Sequence, residues 1–171
     1  GVGILPDVTL AEAAGLRCDN GVWVDEQCRT SDPNVYAAGD CTNHPSARYG
    51  RRVRLESVDN AVEQAKTAAA NICGKPARHE HIPWFWSDQY DVKLQIAGLA
   101  QGYDQAVVRG DPESGSFALY YLSGGELLAV DAINSMRDFM HGKRWLAERK
   151  RPDPELLADP KAGAGHIMPG A

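Results

Sequence analysis

Apolar positions along the chain change their period near residue 78. In the first half the clearest signal is helical. Val58, Ala61, Val62, Ala65, Ala69 and Ile72 recur at spacings of three and four, which predicts a helix over residues 57–73 with one apolar stripe. Ser57 is placed to cap it, Asp59 suits the positive end, and Gly74 followed by Pro76 stops it. The stripe is mostly Ala, so close packing against a sheet or a ligand is expected. Residues 9–14 predict a shorter helix, with Thr9 as cap, Glu12 completing a T-x-x-E box and Gly15 just past its end. Residues 22–25 read as a strand, Ser31-Asp32-Pro33-Asn34 as a turn, and residues 35–38 as a short, fully buried strand ending at Gly39-Asp40. Residues 42–54 are polar and read as flexible.

After residues 75–81 (KPARHEH), where a domain boundary is expected, strict alternation takes over. Val92, Leu94 and Ile96 alternate with Lys93 and Gln95, as in a half-buried strand. Residues 105–109, 117–122 and 126–133 are further strands, separated by Pro112-Glu113-Ser114-Gly115 and Ser123-Gly124-Gly125 turns. A second helix is expected over residues 135–150, opened by the S-x-x-D box of Ser135 and Asp138, with Met136, Phe139, Met140 and Leu146 facing the core. The expected organisation is an α/β segment over residues 1–77, a small α+β domain with an antiparallel sheet and one helix over 78–150, and a loose tail over 151–171.

Composition narrows the classes. The chain has 171 residues, 43% hydrophobic and 24% charged, the balance of a globular protein. A net charge of −5 argues against nucleic acid or anionic membrane as a partner. No apolar run is long enough to span a bilayer. The opening GVGILPDV carries no signal-peptide pattern and reads as a cut chain. Cys18, Cys28, Cys41 and Cys73 form no C-x-x-C pair, so neither a zinc site nor a redox dithiol is signalled, and free thiols in a reducing cytoplasm are the expectation. G-x-G-x-x-G, Walker, G-x-S-x-G and H-E-x-x-H patterns are all missing. His79-Glu80-His81 reads as a surface linker rather than a metal site.

Four features bear on chemistry, and each also has an ordinary structural reading. Asp40 follows Gly39 at the C-terminal end of a predicted strand, where ligands of α/β sheets lie; its carboxylate can accept from sugar hydroxyls or simply bond its own turn. The N-terminus of the helix at Ser57 and Val58 offers free N–H groups and partial positive charge to an anion, as every helix does. Trp84, Phe85, Trp86 and Tyr90 crowd one short run beside the boundary, suited to shielding a flat ligand or to plugging two domains together. Two basic clusters, Arg51/Arg52/Arg54 and Lys143/Arg144/Arg149/Lys150/Arg151, are solvated faces or docking patches.

Taken in order, these segments resemble a known family. Leu10 to Leu16, Gly21 to Asp25, Arg29-Thr30-Ser31-Asp32-Pro33, Val35-Tyr36-Ala37-Ala38-Gly39-Asp40, Glu56-Ser57-Val58 and Trp84-Phe85-Trp86-Ser87-Asp88-Gln89 fall in the sequence and spacing of the FAD-dependent ferredoxin and rubredoxin reductases. These are flavoproteins of the two-dinucleotide-fold group that supply electrons to oxygenases. The resemblance runs to about residue 147, and W-S-D-Q is its most specific part. It implies that Gly39 and Asp40 meet the ribityl chain of FAD, and that the Val58 N–H, on the helix capped by Ser57, reaches the pyrimidine edge of the flavin. It places Glu56 near the nicotinamide of NADH and Trp86 near the isoalloxazine. It implies no acid or base residue, because hydride passes between cofactors. A ferredoxin or rubredoxin partner is implied, with docking near Trp86 and the Lys143–Arg151 cluster. The phosphate loops of the family have no counterpart here, so weak FAD binding by the chain itself is expected. The alternatives are a non-catalytic interaction domain, or a related flavin-dependent NADH oxidase or disulfide reductase.

Overall fold

A computed structural model describes residues 3–168; the apolar opening at residues 1–2 and the last three residues of the tail lie outside it. The chain divides into two compact units, Gly1–His81 and Ile82–Ala171. The first is a small α/β unit and the second is α+β, with an antiparallel sheet.

The first unit opens with helix α1 (Thr9–Ala13). Thr9 lies inside it and does not cap it: the Thr9 N–H is taken by Asp7 Oδ1 at 3.0 Å. At the other end, Gly15 adopts φ +73, and its N–H and that of Leu16 return to Glu12 O and Ala11 O, a Schellman closure. Strand β1 is only Val22–Trp23 and pairs parallel with β2 (Thr42–Ser46), which pairs antiparallel with β3 (Arg51–Val53). The segment expected to be flexible is therefore a hairpin. It is buried although polar: Thr42, Asn43 and His44 are 0, 7 and 3% exposed. Arg52 explains part of this. Its guanidinium donates to Asn43 Oδ1 at 3.0 Å, to Val24 O at 2.6 Å and to the Asn43 carbonyl. It also lies 3.4 Å from the Trp23 ring centroid, as does Arg17. A polarity pattern does not reveal such a pairing, because the satisfying partners are distant in sequence.

Residues 35–38 form no strand. Tyr36 makes an isolated bridge to Arg29, and Val35 is 37% exposed. The preceding turn is as expected, with the Asn34 N–H on Asp32 Oδ1 at 2.9 Å.

Helix α2 (Val58–Ile72) is capped by Ser57, whose Oγ accepts from the Asn60 N–H at 3.1 Å. Its orientation reverses the expectation. The inward residues are Asn60, Gln64, Thr67 and Ala68, whereas Val58, Val62 and Ile72 are 63, 44 and 65% exposed. Within this unit the neighbours of α2 are polar side chains and backbone groups of the hairpin and its preceding turn, so the polar face is the one that is satisfied.

In the second unit five strands, β4 (Trp84–Gln89), β5 (Val92–Gly98), β6 (Gln105–Asp111), β7 (Ser116–Ser123) and β8 (Glu126–Ile133), form an antiparallel sheet in the order β4-β5-β8-β7-β6. The aromatic run is thus the edge strand β4. Gly115 closes a 3₁₀ turn with φ +69 between β6 and β7. Alternation along β7 sends Ala118, Tyr120 and Leu122 inward, each fully buried. Helix α3 (Met136–Ala147) covers that face with Phe139, Gly142, Trp145 and Leu146. Met136 and Met140, expected in the core, are 57 and 55% exposed. Gly142 lets the helix approach closely: a Cβ there would stand 2.5 Å from Val130 Cγ1. The S-x-x-D box does not cap the backbone; Ser135 Oγ instead donates to Asp138 Oδ2 at 2.6 Å.

The residues after 150, read from sequence as loose, pack onto this unit as far as they are described. A short helix, α4 (Pro154–Ala158), is capped by Asp153, and Leu157 and Ile167 are 0 and 1% exposed. Arg109 reaches them from β6. Its Nη1 donates to Leu157 O and Asp159 O at 3.1 and 2.5 Å, and its Nη2 to Pro160 O and Ala162 O at 3.3 and 2.8 Å. With Nε on Asp138, all five guanidinium donors are used. The tail's apolar residues are too few to show periodicity, but one buried cation collects its carbonyls.

Candidate functional site

In the first unit, Gly39 and Asp40 form the turn that leads into β2. Gly39 has φ +90, a conformation that disfavours a side chain, and its position facing α2 puts a hypothetical Cβ 3.5 Å from Ala61 Cβ. Side chains from other elements hold the turn. Gln64 Oε1 accepts the Gly39 N–H at 2.6 Å. Arg54 Nη1 donates to the Asp40 carbonyl at 3.4 Å and to Glu56 Oε1 at 2.6 Å. Arg54 is anchored in turn by Asn20 Oδ1 at 3.1 Å and Ile4 O at 3.2 Å. Its side chain is only 12% exposed, so this is more than a solvated surface pair.

Gly39, Asp40, Glu56, Ser57 and Val58 are thereby brought together around Arg54 and the start of α2. Asp40 and Val58 face outward. The helix leads with unsatisfied N–H groups, as any helix N-terminus does, and Ser57 occupies that of Asn60. A carboxylate on a left-handed Gly turn beside such an end suits a ligand that offers hydroxyl groups on one side and develops negative charge on the other. Sequence reading missed Arg54 and Gln64. Arg54 stood only as one of three basic residues, and Gln64 lay off the apolar stripe; their signal was a polar residue at a helical spacing from Ser57 and a cation two residues before Glu56.

Trp86 belongs to the second unit, on β4, where it is 39% exposed and stacks on Trp84 with centroids 5.1 Å apart. Lys143 Nζ lies 4.7 Å over the Trp84 ring, so the aromatic strand and the basic helix α3 share one surface. The rest of the basic cluster is largely engaged. Arg149 pairs with Glu126 at 3.5 Å, Lys150 with Glu148 at 3.7 Å, and Arg151 donates to Gly124 O at 3.2 Å.

The cysteines are free; Cys28 is buried, and burial, with the nearby Asp25 charge, pushes its thiol up to about 11, so it is no nucleophile at neutral pH. No helix among the described residues is long and apolar enough to cross a membrane.

Residues 1–65 match the family "Pyridine nucleotide-disulphide oxidoreductase" and residues 84–164 match "Reductase C-terminal". The chain belongs to these two families over the matched residues, and several of its relatives are named ferredoxin reductases. It is 44% identical to putidaredoxin reductase CamA of Pseudomonas putida, over all of this chain and 40% of that protein. It is 48% identical to the 5,5'-dehydrodivanillate O-demethylase ferredoxin reductase subunit of Sphingobium sp., over 93% of this chain and 39% of that one. Among solved structures, the reductase in the covalent putidaredoxin reductase–putidaredoxin complex superposes with a TM-score of 0.92 at 45% identity, covering 98% of this chain and 40% of that chain. The chain thus spans about 40% of the length of these relatives.

Proposed function

We propose that this chain serves an oxidoreductase that passes electrons from NAD(P)H through FAD to an iron–sulfur ferredoxin or a rubredoxin, in support of an oxygenase. The observation that carries the reading is the Arg54 bridge, which makes one surface of the Gly39–Asp40 turn and the Glu56–Val58 helix start. The residues present fit part of an FAD site. On the turn that Gly39 makes at φ +90, the Asp40 residue is exposed and its carboxylate can accept from ribityl hydroxyls. The Val58 N–H leads α2 toward the flavin's pyrimidine edge, and Glu56, held by Arg54, stands for the nicotinamide side. When bound, FAD supplies the hydride and single-electron chemistry; the chain's own residues bind and orient it. Trp86, with Trp84 and Lys143 beside it, is the reading for the acceptor's docking surface. The names of the relatives support the partner class, one such reductase having been solved in a covalent complex with putidaredoxin.

Asp40 tests the reading. The carboxylate contacts a part of the cofactor that does not change in reaction, so its contribution is uniform binding. In the flavin-loaded protein, Asp40→Ala weakens FAD retention and leaves hydride transfer per bound flavin near normal. Normal retention with slow turnover would overturn the role assigned to it. An absorption spectrum separates this function from that of a cofactor-free interaction domain.

A further inference from the structure

The buried polar face of α2 contains a chain of groups that the flavin reading does not use. Gln64 is fully buried, and its Oε1 lies 2.6 Å from the Gly39 nitrogen and 2.7 Å from Thr42 Oγ1. Its Nε2 lies 2.9 Å from His44 Nδ1. A backbone N–H can only donate, so the atom facing Gly39 has to be the amide oxygen. The opposite end of the same amide is then a donor, and His44 Nδ1 has to accept. That fixes His44 as the neutral ring with its proton on Nε2.

The surroundings of His44 agree. It is 3% exposed, and its ring meets that of His79 edge-on, with centroids 4.9 Å apart. Burial pushes His44 down to about 4, and the nearby charges of His79 and Arg52 act the same way. His79 is itself lowered by burial and by His81, against the pull of Glu63 and Asp59; Asp59 Oδ2 holds His81 Nε2 at 2.9 Å. The Thr42 hydroxyl is also 2.9 Å from Gly39 O, and its one proton serves either that oxygen or Gln64 Oε1, so it does not settle which way the amide faces.

We propose that Gln64 is the positioning residue of the Gly39–Asp40 turn, and that neutral His44 fixes the direction in which the Gln64 amide faces. A proton on His44 Nδ1 would set two donors against each other. The amide would have to turn its oxygen to His44, presenting its NH₂ to the Gly39 N–H and releasing the turn. The claim about Gln64 and His44 stands on this geometry; its consequence for cofactor binding rests on the flavin reading above.

Long-range 1H–15N spectra of the full chain read both halves of the claim. At pH 7, His44 Nδ1 is expected to be unprotonated, and Gly39 amide exchange slow. Gln64→Leu is expected to speed Gly39 exchange roughly tenfold, as loss of one hydrogen bond gives. Gln64→Glu keeps an acceptor for Gly39 but removes the donor to His44, so it moves the proton to Nδ1 and shifts the His44 titration upward, past the ordinary histidine value; a merely structural Gln64 would leave that titration in place. A protonated Nδ1 in the unaltered chain at pH 7, or Gln64→Glu without an upward shift, overturns the proposal even if Gln64→Leu fails to fold. In the flavin-loaded protein Gln64→Leu is expected to lose FAD faster. Normal retention alongside a freed Gly39 amide would uphold the positioning role and refute the flavin reading of the turn.

Discussion

Arg109 Nε donates to Asp138 Oδ1 across 3.0 Å, joining an inward-facing residue of β6 to the first turn of α3. Their side chains are 9 and 19% exposed, so the pair is shielded from water. The same Asp138 accepts from Tyr120 Oη at 3.3 Å and from Ser135 Oγ at 2.6 Å. Removing one partner of such a pair leaves the other charge buried and four tail carbonyls without their donor. Arg109→Met is therefore expected to cost roughly 3–5 kcal/mol. It also opens the residues after 150 to proteolysis. A urea midpoint and limited proteolysis with mass readout check both; an unchanged cleavage pattern would mean that Leu157 and Ile167 alone hold the tail.

Gly142 is required by space and not by conformation. A methyl group there would meet Val130 Cγ1 at 2.5 Å. Despite its better helix propensity, Gly142→Ala is expected to lose about 1–3 kcal/mol through overpacking. Adding Val130→Ala should recover part of the loss, because it removes the atoms in conflict. Equal, additive losses in the two single variants and the double would show that the helix shifts instead.

His44 makes stability depend on pH. Its folded value, about 4, lies below the ordinary histidine value, so between the two the unfolded chain binds more protons. The neutral ring's contribution is complete above about pH 6.5 and is lost as pH falls toward 4. His79, also lowered, acts in the same direction. Denaturant midpoints measured from pH 7.5 to 5 are expected to fall, and His44→Phe to flatten the slope. A slope unchanged by that substitution would locate the dependence elsewhere.

On the proposed function, Lys143, over the Trp84 ring beside Trp86, and Arg144 next to it on α3 are the cations expected to meet the acceptor. Lys143→Glu with Arg144→Glu should slow reduction of an acidic ferredoxin at low salt, since complementary charge mainly speeds encounter. The difference should shrink as salt rises, with screening beyond roughly 8–10 Å near physiological ionic strength. Reduction of a small uncharged acceptor should not change. If both acceptors slow equally, the substitutions act on the flavin or the fold.

Much of this protein was legible in its sequence, and the legible parts share one property: their causes are local. The Ser57 cap, the Schellman glycine at Gly15, the Ser31–Asn34 turn and the bounds of β8 each depend on neighbouring residues or on strict alternation. The Gly39-Asp40 and Glu56-Ser57-Val58 segments were equally visible, because short motifs keep their spacing. Tertiary structure alone decided which face of α2 turns inward. Periodicity locates an apolar stripe but does not say what lies opposite it; here Gln64 finds Gly39, Thr42 and His44, from 20 to 25 positions away. The polar hairpin over Thr42–Val53 and the packed tail were hidden for the same reason. Their burial depends on Arg52 and Arg109, and the value of a buried cation lies in partners that the chain brings to it only by folding.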